Sequence, residues 1–456
     1  MPLRLSVIGL GKLGSPMLAV FAKKGFQVIG MDLNEDTVRQ INAGIAPVPE
    51  PQLQSLMTAN RARIRATTDM AEAVHGSDIS FIIVPTPSGE DRFFRNDYVI
   101  AALRSIGAAL RDKLGYHNVV VTSTVMPGST GGFLRAALEE ASGRVVGEDL
   151  GLCYNPEFIA LGSVVRDMLF PDMILIGESD AKAGDMLEAL YRLSIERDAD
   201  FQRMNWINAE LCKIAVNTYV TTKISYANMI AELCDNLAGA DADVVTTALG
   251  SDSRIGRKYI KGAVAYGGPC FPRDNKAFAA LGRSLGVRTD LAEATDRIND
   301  HQTARLLGAI EAGAAPGATV AILGLSYKPN TPVVEESQGL ALARALVGEG
   351  YAVRLSDPEA LGSPDLLLPT GAALVATIEA AVAGADVVAV MTPWAVYRDL
   401  PALLARAGTS PAAVVDPWRV VDAGADLPAG TRLIRPGVGD WCVATGTEPA
   451  LQRARA

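Results

Sequence analysis

Two doubly wound parallel α/β sheets, joined by one long central helix and a helical middle region, are predicted by three features of the sequence. Short apolar strand patterns alternate with helical patterns in both halves of the chain, as parallel sheets with crossover helices require. A glycine-rich turn, GLGKLG from Gly9 to Gly14, joins the first strand pattern to the first helical one. Between the two α/β stretches, residues 205–235 contain neither glycine nor proline, so a single long helix is expected there.

At 456 residues, with 49% hydrophobic and 6% aromatic content, the chain can bury more than one core. The expected divisions are 1–200, 201–300 and 315–445, with GAAPGA at 313–318 as the linker before the last. A net charge of −9 argues against binding nucleic acid or an anionic membrane through bulk electrostatics, although a local basic patch can still hold a phosphate. The first residues lack a long apolar run, and no later stretch reaches the ~18 residues of a membrane span, so a cytoplasmic location is expected. Cys153, Cys212, Cys234, Cys270 and Cys442 are scattered without the spacing of a zinc site or a disulfide framework, which predicts reduced thiols and no metal. His75, His117 and His301 stand in no metal or triad spacing and read as surface or structural residues.

Taken in order, LRLSVIG at 3–9 reads as a buried strand and SPMLAVFAKKG as the helix after the glycine turn. This is the Rossmann dinucleotide pattern. Gly9 and Gly11 permit a tight turn and close approach of a pyrophosphate to the helix N-terminus, with Lys12 and Leu13 beside it, and Gly14 lets helix and strand pack closely. The second strand, FQVIGMD, ends in Asp32, placed to bond the adenosine ribose hydroxyls. An acid there, followed by Leu33-Asn34 rather than an arginine, favours NAD over NADP, because a 2′-phosphate would meet negative charge. Further strands are expected at 78–87 and 118–130, with a helix near 98–114 between them. Their carboxyl ends place Thr86, Ser123 and Thr124 either near the nicotinamide or as helix caps. After another apolar strand comes CYNPEFIALG; Glu157 in that loop is either a solvated glutamate or a general base. FPDMILIGESD reads as an edge-like strand.

On the long helix, Glu210, Lys213, Asn217 and Thr221 recur at three- and four-residue spacing and share a polar face, while Ile214, Val216 and Val220 supply apolar contacts elsewhere. Such a stripe is either solvent-facing or, if buried, needs a partner such as a ligand. Arg254, Arg257, Lys258 and Lys261 form a basic cluster, suited to an anionic ligand or to solvent. In GGPCFPRD at 267–274 the glycines and prolines predict a tight turn that holds Cys270 in place; within those eight residues a packed thiol is the commoner reading and a nucleophile the other. A third unit then follows, with strands in TVAILG, YAVRLSDP, ADVVAVMTPW, AAVVDPW and TRLIRP and helices in ALARALVGEG and LVATIEAAVAG. Its glycine pattern after Leu323 is incomplete, so a nucleotide rather than a second NAD is expected there. The closing EPALQRARA carries no assigned role.

In sequence order, GLGKLG with Asp32, APVPEP, VPTP at 84–87, STVMPGST at 123–130, NPEF at 155–158, E-x-x-K-x-x-x-N at 210–217, RIG at 254–256, GGPCFPRD and GLSYKPNT at 324–331 closely resemble the UDP-glucose/GDP-mannose dehydrogenase family over nearly the whole chain. The resemblance implies a four-electron oxidation of a nucleotide-sugar C6 alcohol to a carboxylate, with NAD as acceptor. It makes Cys270 a nucleophile that passes through a thiohemiacetal and a thioester, Lys213 the oxyanion stabiliser and Asn217 the group that orients C6, with Glu157, Asp274 and Thr124 handling protons or water. It adds Pro85 and Arg273 to the cofactor residues. For the sugar nucleotide it implies Phe158, Ile159, Arg254, Lys261, Gly267, Phe271, Lys328 and Arg419, at a site between the α/β domains. It also implies a homodimer through the helical region, or a higher homo-oligomer, with Arg254 reaching the partner's site. UDP-glucose is the first expectation by family frequency, ahead of TDP-glucose, GDP-mannose or a UDP-N-acetylhexosamine.

The chain departs from the family pattern at Leu161, where a glutamate is usual, and at Glu335, where an arginine is usual. Pro332 and Val333, Ala265 for a glycine and Arg273 for a lysine also bear on substrate choice. Two rivals are a two-electron hydroxy-acid dehydrogenase, which would not need Cys270, and a binding protein that has lost turnover.

Overall fold

A computed structural model describes residues 3–439, so Cys442 and the EPALQRARA tail lie outside the described residues. The chain folds as two units divided between Ala215 and Val216. Among the described residues, no helix is long and apolar enough to cross a membrane.

The first unit contains eight strands: β1 Arg4–Ile8, β2 Gln27–Met31, β3 Ile64–Thr67, β4 Ile79–Ile82, β5 His117–Val121, β6 Leu150–Tyr154, β7 Met173–Glu178 and β8 Asp200–Met204. They form one sheet in the order β3-β2-β1-β4-β5-β6-β7-β8. All neighbours pair in parallel except β6 and β7. Chain order reverses at β1, where the sheet grows first towards β2 and then towards β4, and such a switch point opens a crevice at the carboxyl ends of the strands. Register brings those ends level: Ile8 lies opposite Met31 and Ile82, and Ile82 opposite Val121. The loops carrying Gly9, Asp32, Thr86 and Ser123 therefore leave from one edge of the sheet.

Both faces of this sheet are covered, which explains its continuous apolar strands. Leu5, Val7, Phe81 and Val120 pack into one core with Leu18 and Phe21. Ile8, Ile82, Val119 and Val121 pack into the other with Leu103 and Leu138. Several strand expectations need correction. The stretch read as an edge strand, now β7, lies inside the sheet, because the polar segment DFQRM forms β8 outside it; half-exposed residues suit an edge and give no apolar pattern. Likewise β3 is a short outer strand of mixed polarity that sequence reading did not find. The strands expected at 78–87 and 118–130 end at Ile82 and Val121, where loops take over.

In the second unit the helices Ala242–Ser251, Phe271–Ser284 and Asp290–Glu311 precede a six-stranded parallel sheet. Its strands are β9 Thr319–Leu323, β10 Ala352–Ser356, β11 Ala372–Leu374, β12 Val387–Val390, β13 Ala413–Val415 and β14 Arg432–Ile434, in the order β11-β10-β9-β12-β13-β14. The long helix Trp206–Asp235 runs across the division between the units. Its last residue, Asp235, bonds Arg305 of the Asp290–Glu311 helix at 2.7 Å, both side chains being nearly inaccessible. The helix expected in LVATIEAAVAG is only Ile378–Val382, since Leu374 already belongs to β11.

Candidate active site

The glycine turn is built around close packing and open space. A side chain on Gly9 would run into the Ile83 carbonyl, and one on Gly14 into the Gly9 carbonyl, whereas one on Gly11 would meet nothing within 4 Å. Gly9 also takes φ +95°, which disfavours any other residue. The helix Gly14–Lys23 starts at Leu13 without a side-chain cap and without an acid in its first turn, so its amino end remains available to an anion. Asp32 accepts from the backbone N–H of Leu10 at 2.7 Å and of Asn34 at 2.8 Å, which aims the carboxylate at the turn. Lys12 is exposed and Leu13 half-buried. These residues fit a dinucleotide: pyrophosphate over Gly11, ribose at Asp32.

Beyond β4 and β5, Thr86 Oγ1 donates to the Thr124 carbonyl at 2.8 Å. Ser123 Oγ donates to the Val84 carbonyl at 2.7 Å and accepts from the Val84 N–H at 2.9 Å. Pro85 is exposed and Thr124 half-buried. Neither Thr86 nor Ser123 caps a helix; both tie the two strand-end loops together. A further clamp comes from Glu210, which is 0% exposed. Its carboxylate accepts from Gly128 N at 2.6 Å and Thr130 N at 2.7 Å, at the start of a π-helical turn Thr130–Leu134. Burial raises the Glu210 carboxyl, and the bonds from Thr130 and Gly128 offset only part of that rise.

The polar face of the long helix is thus the buried one: Glu210, Lys213, Asn217 and Thr221 are all buried. In the first unit, Lys213 Nζ donates to the Glu157 carbonyl at 2.7 Å and lies 4.6 Å from the centre of the Phe158 ring. Glu157 lines a small chamber with Phe21, Met168, Ile174 and Tyr191. Burial pushes its carboxyl up to about 7, against the pull of nearby Lys213. Ile159 and Leu161 pack half-buried against the core that includes Leu18 and Phe21. The loop after them is held by Glu50 of APVPEP, which accepts from Gly162 N at 2.9 Å and Val164 N at 2.7 Å.

In the second unit, Asn217 Nδ2 donates to Asp274 Oδ2 at 2.6 Å, and Arg273 Nε donates to Asp274 Oδ1 at 3.0 Å. Asp274 is 0% exposed. The tight turn expected at 267–274 covers only its first half, for Phe271 begins the helix Phe271–Ser284 and Cys270 is its N-cap residue. Pro272 in the first turn costs nothing there, since that N–H would have no intrahelical partner. Cys270 is exposed, whereas burial raises the thiols of Cys212 and Cys234 and pushes Cys153 up to about 12. Cys270 is therefore the most exposed of the described cysteines. A side chain on Gly267 would strike the Glu336 carbonyl, and the Gly268 N–H donates to the Glu335 carbonyl at 3.0 Å.

Four cations expected at a sugar nucleotide take different surroundings. Arg419, at φ +57° on a turn held by Asp416, bonds Asp241 at 2.7 Å and Asp243 at 3.1 Å through Nη1. Its Nε and Nη2 are buried without a protein partner among the described residues. Lys261 Nζ lies 3.4 Å from the Trp418 carbonyl and 3.8 Å from Asp243. Lys328 Nζ is 5.9 Å from the centre of the Tyr327 ring. Arg254 points outward, its side chain 87% exposed and paired with Asp252. Phe271 packs edge-on against Tyr259 at 6.1 Å.

Glu210, Glu50 and Tyr191 carry no role in the sequence reading. A buried carboxylate on a polar helical stripe is the one signal that could have marked Glu210. Residues 3–195, 207–301 and 321–423 match the NAD-binding, central and UDP-binding domains of the UDP-glucose/GDP-mannose dehydrogenase family. The chain is 35% identical over 401 residues to the UDP-glucose 6-dehydrogenase AglM of Haloferax volcanii, across 86% of this chain and 91% of that one. It is 36% identical over 359 residues to the GDP-mannose 6-dehydrogenase of Pseudomonas putida, across 78% and 81%. A UDP-glucose dehydrogenase of the hyperthermophilic archaeon Pyrobaculum islandicum shares the fold with a TM-score of 0.85 and 34% identity, over 96% of this chain and 98% of that one.

Proposed function

The chain belongs to the UDP-glucose/GDP-mannose dehydrogenase family and is an NAD-dependent nucleotide-sugar 6-dehydrogenase, and on that premise we propose that it oxidises UDP-glucose to UDP-glucuronate through a thioester on Cys270. The observation that carries the proposal is the exposed thiol of Cys270 at the amino end of a 14-residue helix, beside the buried Asn217–Asp274 pair. A helix N-terminus favours negative charge on a group held there.

NAD, when bound, accepts the hydride of each oxidation. In the first, the C6 hydroxymethyl loses a hydride and a proton and becomes an aldehyde, its oxygen stabilised by Lys213 and its carbon held by Asn217. Cys270 Sγ then adds to the aldehyde carbon, and the Lys213 ammonium steadies the oxygen of the thiohemiacetal. Loss of a second hydride and the hydroxyl proton leaves a thioester. Glu157 takes a proton from water as its oxygen attacks that carbonyl, Thr124 and Asp274 hold the water and C6 in line, and the C–S bond breaks to release carboxylate and thiol. Phe158, Ile159, Gly267, Phe271, Lys261, Lys328 and Arg419 would hold the nucleotide sugar, with the buried, unpartnered Nε and Nη2 of Arg419 as donors that a phosphate would satisfy. Pro85, Thr86, Ser123 and Arg273 would border the nicotinamide.

UDP as the nucleotide is supported by the UDP-glucose dehydrogenases of Haloferax volcanii and Pyrobaculum islandicum. NADH yield with UDP-glucose, TDP-glucose, GDP-mannose and UDP-N-acetylhexosamines tests it: UDP-glucose should give the highest kcat/KM by at least about tenfold and two NADH per sugar. A preference for GDP-mannose would move the substrate and keep the chemistry. One NADH per substrate, unchanged in Cys270→Ala, would instead indicate a two-electron dehydrogenase.

A homodimer is proposed through the outer face of the long helix. Tyr219, Tyr226 and Leu233, seven residues apart, are 62%, 44% and 56% exposed, with Met229 and Leu237 at 38% each. An apolar seam of that period asks for a second helix. Arg254, turned outward, is suited to reach a partner's site.

A further inference from the structure

Glu157 must lose a proton before it can take one from water, and its neighbours bear on when that happens. Tyr191 Oη lies 2.5 Å from Asn155 Oδ1 and 3.2 Å from Glu157 Oε1. A phenol has one proton and cannot donate to both. Asn155 is 2% exposed, and its Nδ2 donates to the Leu175 carbonyl at 2.9 Å, which sets the amide orientation and leaves Oδ1 in need of a donor. The shorter distance places the Tyr191 proton on the side of Asn155. The Tyr191 oxygen then turns a lone pair towards Glu157, which repels a carboxylate and accepts from a carboxylic acid.

We propose that Tyr191, fixed by Asn155, is a positioning residue that stores Glu157 as the neutral acid, so that thioester hydrolysis waits on the release of that proton. The groups that titrate against Glu157 are Tyr191 from the Ala181–Ser194 helix, which would draw the carboxyl down if its proton were turned to Glu157 rather than to Asn155, and Lys213 from the long helix, which draws it down. The remaining walls are Met17, Val20 and Phe21 from the first helix, Met168 from the Val164–Leu169 helix, Pro171, Ile174 from β7, and Ser194, whose hydroxyl donates to the Leu190 carbonyl at 2.8 Å. Lys213 spends a proton on the Glu157 carbonyl, so its bond steadies the backbone whichever form the carboxyl takes. The inference deepens the proposed mechanism and rests on the reading of Glu157 as the base.

Infrared difference spectra of the apoenzyme across a pH titration would follow the protonated carboxyl band that Glu157→Gln removes. Tyr191→Phe takes away the acceptor and should lower the midpoint by about one pH unit. Asn155→Ala frees the phenol proton for the carboxylate and should lower it as well. If Tyr191 instead donates to Glu157 already, Tyr191→Phe raises the midpoint and Asn155→Ala leaves it in place; either result overturns the inference. Should one variant fail to fold by circular dichroism, the other decides alone, because the two hypotheses differ for each. The base reading fails separately: Glu157→Gln that produces uronate at the wild-type rate would remove Glu157 from hydrolysis and leave the titration result standing.

Discussion

At the scale of single residues, the account turns on how differently one chain treats groups of the same kind. Cys153 is sealed in the sheet with its thiol pushed up to about 12, while Cys270 stands exposed at a helix start. Cys270→Ala should lower formation of the uronate by about a thousandfold with only a small change in melting temperature, as seen by NADH release and differential scanning calorimetry. Glu157 differs from Glu178, which sits in an ion pair with Arg203 at 2.8 Å, by standing half-buried with no ion pair among the described residues. Its folded pKa, up to about 7, lies above the unfolded value, so the folded state binds the extra proton. Stability is therefore greatest at low pH and declines as pH rises from the unfolded pKa through about 7. Glu157→Gln removes this loss, and its melting temperature relative to wild type should be higher at pH ~8 than at pH ~5. His117 goes the other way: burial and Lys113 push it down to about 3, with Nε2 at Ser80 and Nδ1 at Lys113, a structural part of the sheet.

Elements show what sequence patterns could and could not carry. The glycine turn, the strand ending at Asp32 and the unbroken long helix were legible because each rests on local chemistry: left-handed glycine, an acid at a strand end, the absence of helix breakers. The polar stripe on the long helix was ambiguous, since period alone cannot say which face meets solvent; the structure buries it and turns Tyr219, Tyr226 and Leu233 outward. Tyr226→Asp with Leu233→Asp should convert a dimer to monomer in sedimentation velocity, whereas unchanged sedimentation would place the interface elsewhere. Glu210 shows why site reading stopped short. Its two bonds, to Gly128 and Thr130, join a helix to a loop about 80 residues earlier in the chain, a distance no local pattern spans. Glu210→Gln can satisfy only one of those amides, and should raise the KM for NAD by about tenfold and speed hydrogen exchange at Gly128 and Thr130 without altering NADH stoichiometry.

On the scale of the whole molecule, the same construction serves twice. Gly9 and Gly14 pack against each other beneath Asp32, and in the second sheet Gly339 meets the Gly324 carbonyl while Asp357 takes the matching place after β10. Asp357, however, is filled from within: Leu325 N at 2.7 Å, Ser326 N at 3.0 Å and Trp394 Nε1 at 3.2 Å all donate to it. That leaves the second sheet without a ribose acid on offer, in keeping with its match to a UDP-binding domain rather than an NAD one. The doubly wound architecture was legible from alternating strand and helix patterns; outer strands β3 and β8 were not, because short half-exposed strands of mixed polarity lack apolar runs, and β11 was not, because its apolar Ala372–Leu374 runs into the helical pattern after it. The central step proposed for this chain is a covalent one on Cys270. Acid quenching of the wild-type enzyme during turnover of UDP-glucose and NAD at pH ~6, where Glu157 is still largely protonated, followed by peptide mass spectrometry, tests this most directly. The account predicts a hydroxylamine-sensitive UDP-glucuronyl adduct on the Cys270 peptide; continued release of two NADH per sugar with that peptide always unmodified would contradict it.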